Sequence, residues 1–313
     1  MVRWTTSDIP PQNGKAAVVT GTGGIGYETA IALARAKARV TIAGRNAGKG
    51  EAAAERIRKA VPGAEISFEL VDLADLASIA EFGKRLRARQ KGLDLLVNNA
   101  AVMTPPQREQ TSYGFELQFG TNHLGHFALT AALLPLLLKG HRARVVSVSS
   151  IAARSGTINF ADLQSTRSYA PMTAYAQSKL ANLMFAFELQ RRSVAENWGL
   201  TSVAAHPGIS RTDLLYNGAG RTSTAGRVRT SLWFLFQPAE QGALPSLFAA
   251  TSPSAQAGGY YGPDRFWETR GYPGVAVPPE QALDREVAEQ LWAVSAQLTG
   301  SQFQNNLIAA RSN

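Results

Sequence analysis

The hydrophobic positions of this chain fall into short continuous runs separated by longer stretches of helical period. Ala16-Ala17-Val18-Val19-Thr20 is an apolar run of strand length, followed by a glycine cluster and then a helical pattern from about Ile25 to Ala36. Arg39-Val40-Thr41-Ile42-Ala43 predicts a second strand, and the Ala/Glu/Arg-rich segment from Lys49 to Ala60 predicts a second helix. Strand-like runs recur at Glu65–Val71, Leu93–Val97, Arg144–Val148 and Thr201–Ala205, with helical material between them. Alternation of this kind predicts an α/β fold with a parallel sheet and helices on both faces. Right-handed crossovers make that sheet doubly wound and place ligands at the carboxyl ends of its strands. The chain shows no repeat, low-complexity tract or interdomain linker, so we expect a single domain over about 15–300. Residues 1–14 would form an N-terminal arm and 301–313 a tail.

Composition narrows the chemistry. The chain has 313 residues, 45% of them hydrophobic and 18% charged, which suits a globular protein with a sizeable core. It has no cysteine, which removes disulfides, thiolate metal sites and cysteine nucleophiles. Of four histidines, His123 and His126 lie three apart with no second ligand cluster, so a packed or exposed pair is expected rather than a metal site. The formal charge is +9, but the basic residues are scattered and not interleaved with aromatics. They read as solvated helix faces, and no nucleic-acid partner is expected. Met1 to Gly14 is polar, and the longest apolar run, Phe127 to Leu138, is shorter than the roughly 20 residues of a membrane span. A cytoplasmic location with no membrane span is the expectation.

Three motifs carry candidate chemistry. After the first strand the chain reads Thr20-Gly21-Thr22-Gly23-Gly24-Ile25-Gly26, and Gly21, Gly23 and Gly26 satisfy G-x-G-x-x-G at the strand-to-helix turn. Glycine there lets the backbone turn sharply and approach a pyrophosphate held on the helix N-terminus. At the end of the second strand, Ala43-Gly44-Arg45-Asn46 lacks the acidic residue that would bind a ribose 2′-hydroxyl. Arg45 is instead placed to meet a 2′-phosphate, so NADP(H) is the preferred cofactor and NAD(H) the alternative. Asp72, beside Leu73 at the end of the third strand, is a candidate acceptor for the adenine amine or else a helix N-cap, a role Asp75 or Ser78 could also fill. Finally, Tyr175-Ala176-Gln177-Ser178-Lys179 opens a helical stretch whose stripe is Leu180, Leu183, Met184 and Phe187. Positions four apart share a helix face, so phenol and ammonium point the same way. The cation is expected to lower the tyrosine pKa and make it a general acid/base for a carbonyl/alcohol pair.

In this order the motifs resemble those of the short-chain dehydrogenase/reductase family, over about Lys15 to Gly300. The glycine loop is similar to Thr20–Gly26, the N-N-A-G segment to Asn98-Asn99-Ala100-Ala101, and the helical asparagine to Asn122 in Thr121-Asn122-His123-Leu124-Gly125-His126. The family serine is similar to Ser150, and its proline-glycine turn to Pro207-Gly208, followed by Ile209 and Thr212. The resemblance implies a Rossmann fold and an oxidoreductase acting on CH-OH or C=O. It assigns proton exchange to Tyr175, a hydrogen bond to the substrate oxygen to Ser150, and the nicotinamide ribose to Lys179. A relay water falls to Asn122, the sheet edge beneath the cofactor to Asn98, and the carboxamide to Thr212 or the backbone near Ile209. Cofactor contacts are expected from Gly21, Thr22, Gly23, Gly24, Ile25, Gly26, Arg45, Asn46, Asp72, Leu73, Asn99, Ala100, Ala101, Tyr175, Lys179, Pro207, Gly208, Ile209 and Thr212.

Two departures stand out: the glycine loop is one residue shorter than T-G-x-x-x-G-x-G, and Ala101 replaces a glycine. The insert between Ser150 and Tyr175 and the run Ser178–Asn182 resemble the branch holding retinol dehydrogenases and bacterial reductases, so a lipophilic small-molecule carbonyl or alcohol is the expected substrate. The segment at about 213–237, with Leu214, Leu215, Trp233 and Phe234, reads either as an apolar substrate lid or as an amphipathic helix on the core. An epimerase or lyase retaining its nicotinamide, and a non-catalytic NADP(H)-binding protein, are the alternative functions. The apolar face of the Tyr175 helix would serve a dimer or the core, so the chain is expected as a monomer or homo-oligomer.

Overall fold

A computed structural model describes residues 3–210 and 237–303. Eight strands form one sheet in the order β3-β2-β1-β4-β5-β6-β7-β8. They are β1 (Ala16–Thr20), β2 (Arg39–Gly44), β3 (Ile66–Leu70), β4 (Leu95–Asn98), β5 (Arg144–Val148), β6 (Thr201–Ala205), β7 (Tyr260–Arg265) and β8 (Arg270–Val275). All neighbours are parallel except the last pair, in which β8 returns antiparallel to β7. The doubly wound α/β architecture expected from the strand–helix alternation is therefore present, with an antiparallel edge added to it.

The helices are α1 (Gly24–Arg35), α2 (Ala47–Ala60), α3 (Leu76–Arg89), α4 (Gly125–Leu137), α5 (Pro171–Ala195), α6 (Ala239–Thr251) and α7 (Arg285–Thr299). Alternate residues of β1 divide the core between the two faces. Ala17 and Val19 pack with α1, α2 and α6, while Ala16 and Val18 pack with α3, α4 and the end of α5. Central strands buried on both faces need apolar residues at every position, and this is why they read as continuous runs. The stripe Leu180, Leu183 and Met184 of α5 is buried in a third cluster with Leu291 of α7, so this face belongs to the core.

Local chemistry sets the helix starts. Asn46 accepts from the Lys49 amide at 2.9 Å and caps α2, and Asp75 accepts from the Ala77 amide at 2.9 Å and caps α3. Asp72 is thus not the helix cap; it accepts from the Ala74 amide at 2.9 Å in the preceding turn. Ahead of α4 the chain passes through a π-helical turn, Gly120–Leu124, of the kind that concentrates at functional sites. No helix among the described residues is long and apolar enough to cross a membrane. Thr212 and the segment at about 213–236 expected to cover the substrate lie outside the described residues.

The histidine pair sits in this π turn and α4, and both rings are buried. His123 bonds to Ser295 at 2.8 Å within an aromatic cluster that includes Phe127, Phe185 and Trp292. Burial pushes its pKa down to about 3, and burial with the nearby Lys179 charge pushes that of His126 down to about 4. An unfolded chain binds protons at histidine below about pH 6.5, whereas the fold refuses them, so stability must fall as pH drops through this window. The thermal midpoint should decline from about pH 6.5 towards pH 4, and less steeply in His123→Gln, whose side chain does not titrate. Equal slopes in the two proteins would show that His123 already takes up its proton in the fold.

Candidate active site

The carboxyl ends of β1, β4, β5 and β6 converge on one crevice, where the sheet order reverses between β1 and β4. Its floor is built by Thr20. The Thr20 hydroxyl accepts from the amides of Asn99 at 2.8 Å and Ala100 at 2.9 Å, and the Asn99 side chain donates to the Thr20 carbonyl at 2.8 Å. Beneath it, Asn98 is buried and donates to the Thr130 hydroxyl at 3.0 Å, tying β4 to α4. The expected anchoring role of Asn98 is met by a helix rather than by a neighbouring strand.

The glycine loop closes over this floor. Gly21 adopts φ +101°, and a Cβ on Gly26 would lie 2.6 Å from the Gly21 carbonyl and 2.7 Å from the Asn99 amide nitrogen. The loop therefore needs glycine at both positions for packing alone. Gly23 differs: nothing lies within 4 Å of the Cβ it lacks, and as N-cap of α1 it offers no side-chain bond to the helix amides. An uncapped helix start beside open space is what a pyrophosphate requires. These residues fit a dinucleotide. Thr22 leans towards the end of β2, where a Cβ on Gly44 would come within 2.9 Å of its methyl group, and Arg45 extends exposed beyond it. Leu73 is buried, with its carbonyl closely packed against Gly125, while Ala101 stays partly exposed along the crevice.

Across the crevice stand the catalytic candidates. Tyr175 is 5% exposed and Lys179 2% exposed on one face of α5, with the ammonium 5.7 Å from the phenol ring centre. Pro171 at the first turn of α5 fixes the entry of that helix. Ser150 leaves β5, accepts from the Ala152 amide at 3.2 Å, and donates from its hydroxyl to Tyr175. The Lys179 ammonium donates to the Val148 carbonyl at 3.1 Å, a carbonyl shared with Asn182 at 3.3 Å. Ser149 faces away and donates to the Lys179 carbonyl at 2.7 Å, so of the serine pair only Ser150 meets the tyrosine.

Asn122 is fully buried and holds the strand-like turn at Val102 from both sides, accepting from its amide at 2.7 Å and donating to its carbonyl at 2.9 Å. It also donates to Ser178 at 3.0 Å, which joins the π turn to α5 one residue from Lys179. The structure thus brings Asn122, Ser150, Tyr175 and Lys179 together. Pro207, Gly208 and Ile209 line the crevice after β6; Gly208 has φ +62°, and Ile209 donates to the Thr269 carbonyl at 2.8 Å.

The electrostatics depart from the sequence expectation that Lys179 would draw the tyrosine pKa down. Burial dominates and pushes Tyr175 up to about 12, opposed only by the Ser150 hydrogen bond. Burial also pushes Lys179 down to about 8. The crevice therefore presents a neutral phenol and an easily discharged amine.

Two groups that hold the site were not singled out from sequence. Thr20 carried a signal, as the residue ahead of the first loop glycine. His126 was weighed only as a metal ligand, yet it bonds to Thr20 at 2.9 Å through one ring nitrogen and to the Asn122 carbonyl at 2.9 Å through the other.

Comparison with known proteins agrees with this geometry. The profile of the short chain dehydrogenase family matches residues 15–221. Human polyprenol dehydrogenase is 38% identical over 298 residues, covering 93% of this chain and 87% of its own. Mouse retinol dehydrogenase 12 is 40% identical over 308 residues, covering 96% and 90%. The crystal structure of an uncharacterized protein from Mycobacterium paratuberculosis superposes with a TM-score of 0.80 at 37% identity, covering 97% of this chain and all of that one. The chain belongs to the short-chain dehydrogenase family and is an oxidoreductase of that family.

Proposed function

We propose that this enzyme interconverts a lipophilic carbonyl compound and its alcohol with NADP(H), using Tyr175 as the proton-exchanging group. The observation that carries the reading is the buried Ser150–Tyr175–Lys179 cluster at the end of β5, opposite the uncapped start of α1. The relatives named for polyprenol and retinol support a lipophilic alcohol or aldehyde as substrate. We assign residues 15–300 as the catalytic unit, with a cover for the substrate at about 213–237.

The bound nicotinamide supplies or accepts the hydride. Every other task falls to this chain. The α1 amides and the glycine loop hold the pyrophosphate, Arg45 the 2′-phosphate, and Asn99 to Ala101 with Pro207 to Ile209 the nicotinamide end. Asp72 and Leu73 flank the adenine, and Asn46 stays close to Arg45 as the cap of α2. Tyr175, protonated across the physiological range, donates its proton to the carbonyl oxygen as an alkoxide develops there. Ser150 has its own hydrogen free to donate to that oxygen, because its Oγ is fixed as the acceptor of the Ala152 amide. Lys179 steadies the phenolate that remains, and does so only while charged.

Loss of the Arg45 contact to a 2′-phosphate corresponds to about 1.5–3 kcal/mol for a charge-assisted bond. In a fluorescence titration, Arg45→Ala should weaken NADPH by about 10- to 100-fold and leave NADH unchanged. Equal loss of both nucleotides would remove the 2′-phosphate assignment. Gly23→Ala should melt like the wild type, since its Cβ meets nothing, yet bind NADPH less well because the methyl group enters the pyrophosphate space.

Tyr175→Phe should lower kcat by about 10²–10⁴-fold, the usual worth of a positioned general acid, with NADPH affinity retained. For carbonyl reduction, kcat should fall as pH rises through about 8, where Lys179 loses its proton. Lys179→Arg, whose guanidinium stays charged, should lack that fall. A pH profile common to both proteins would place the titrating group elsewhere.

A further inference from the structure

The hairpin joining β7 to β8 carries a carboxylate that reaches both loops flanking the crevice. Glu268 accepts from Arg154 at 2.8 Å, from the His206 ring at 2.9 Å and from the Val277 amide at 3.0 Å. Arg154 lies four residues beyond Ser150 in the 3₁₀ turn Ile151–Ser155, and also donates to the Trp267 carbonyl at 3.1 Å. His206 follows β6 directly and precedes Pro207, Gly208 and Ile209. Its ring is 1% exposed, and Gly262 of β7 lies so close that a Cβ there would fall 2.0 Å from the ring nitrogen. The Gly208 amide donates to the other ring nitrogen at 3.3 Å, which leaves Nε2 as the N–H that donates to Glu268.

The hairpin tip is held against its own conformational preference. Phe266, Trp267 and Glu268 adopt φ of 50°, 53° and 65°, three successive left-handed residues, none of them glycine. L-residues disfavour that region, and it persists where surrounding contacts over-determine it. No apolar burial supports this turn, since Trp267 is 86% and Phe266 63% exposed. The Glu268 bonds and the Thr269 hydroxyl, which donates to the Phe266 carbonyl at 2.7 Å, hold it. The same turn presents the Thr269 carbonyl to the Ile209 amide at 2.8 Å, and a Cβ on Gly208 would sit 2.3 Å from that carbonyl.

We infer that Glu268 is a positioning residue, whose carboxylate fixes the loop carrying Ser150 and the loop Pro207–Ile209 in one register across the crevice. The inference rests on the oxidoreductase reading, in which those loops meet the substrate oxygen and the nicotinamide. Arg154 transmits the tie to the serine side and His206 to the cofactor side. Glu268 itself touches neither substrate nor cofactor.

The two arms can be cut separately. Arg154→Met, at a half-exposed site, severs only the serine side; it should lower kcat on the order of 10-fold and leave NADPH affinity at the wild-type value. Glu268→Ala severs both; it should lower kcat on the order of 10- to 100-fold and also weaken NADPH. Glu268→Gln keeps the shape of the side chain and should restore part of the NADPH affinity, but not the Arg154 ion pair or full kcat. Hydrogen exchange supplies a readout independent of turnover: the amides of Gly208, Ile209 and Val277 should exchange faster in Glu268→Ala, even at low activity. A lowered melting point with wild-type kcat and NADPH affinity would mark Glu268 as a support of the hairpin only and overturn the inference, as would unchanged exchange at Gly208 and Ile209. Wild-type protein that neither binds NADPH nor turns over a carbonyl panel would instead sink the oxidoreductase reading.

Discussion

A single hydroxyl closes the place where this sheet comes apart. Beyond β1 and β4 the chain diverges to opposite faces, and the amides of Asn99 and Ala100 have no strand left to pair with. The Thr20 hydroxyl accepts from both, and the Asn99 side chain returns a bond to the Thr20 carbonyl. Its proton goes to Nε2 of His126, because the Nδ1–H of that ring is committed to the Asn122 carbonyl. Buried amides left without acceptors cost about 1–3 kcal/mol each, so valine, isosteric with threonine, would orphan two of them at once. The floor of the cofactor crevice, the π turn and the catalytic asparagine thus share one anchor.

The other constraint is a cation with no anion. Lys179 is buried beside carbonyls and hydroxyls, and no carboxylate pairs with it among the described salt bridges. Burial disfavours the charge of lysine and of phenolate alike, which pushes the two pKa values apart from their exposed positions: lysine down, tyrosine up. The i, i+4 spacing in the sequence showed correctly that the two groups share a face. It carried no information on how deep that face lies, and depth decided the sign of the tyrosine shift.

The same distinction explains what else was legible. The six parallel strands were readable because burial on both faces demands uninterrupted apolar residues, and β5 and β6 match their predicted bounds. The antiparallel β7 and β8 were not readable: Gly262, Pro263, Gly271, Pro273 and Gly274 interrupt them, and such residues ordinarily argue against a strand. Here Gly262 makes room for the His206 ring and Gly271 takes φ +128°. With the hairpin invisible, Glu268 had no reason to be grouped with Arg154 and His206, which lie far from it in sequence. The role of Asn122 came only from the family resemblance, since a buried asparagine on a helical stretch carries no signal of its own. Arg45 and Asn46, adjacent in sequence, separate in space: one caps α2, and the other remains free to meet a ligand.

The shortened glycine loop shows how a missing residue can be absorbed without loss of the anion site. A loop with one fewer residue must turn more sharply, and it does so through left-handed glycines, Gly21 at φ +101° and Gly24 at +51°. The sharper turn draws Thr22 onto Gly44, where only a residue without a side chain gives the methyl group room. The deletion is therefore matched by glycine at the end of β2, two strands' worth of sequence away. What it leaves untouched is the start of α1: Gly23 still ends the loop as a bare N-cap, with its amide face open. Selection of the 2′-phosphate then passes from the loop to the next side chain along β2, and that side chain is Arg45.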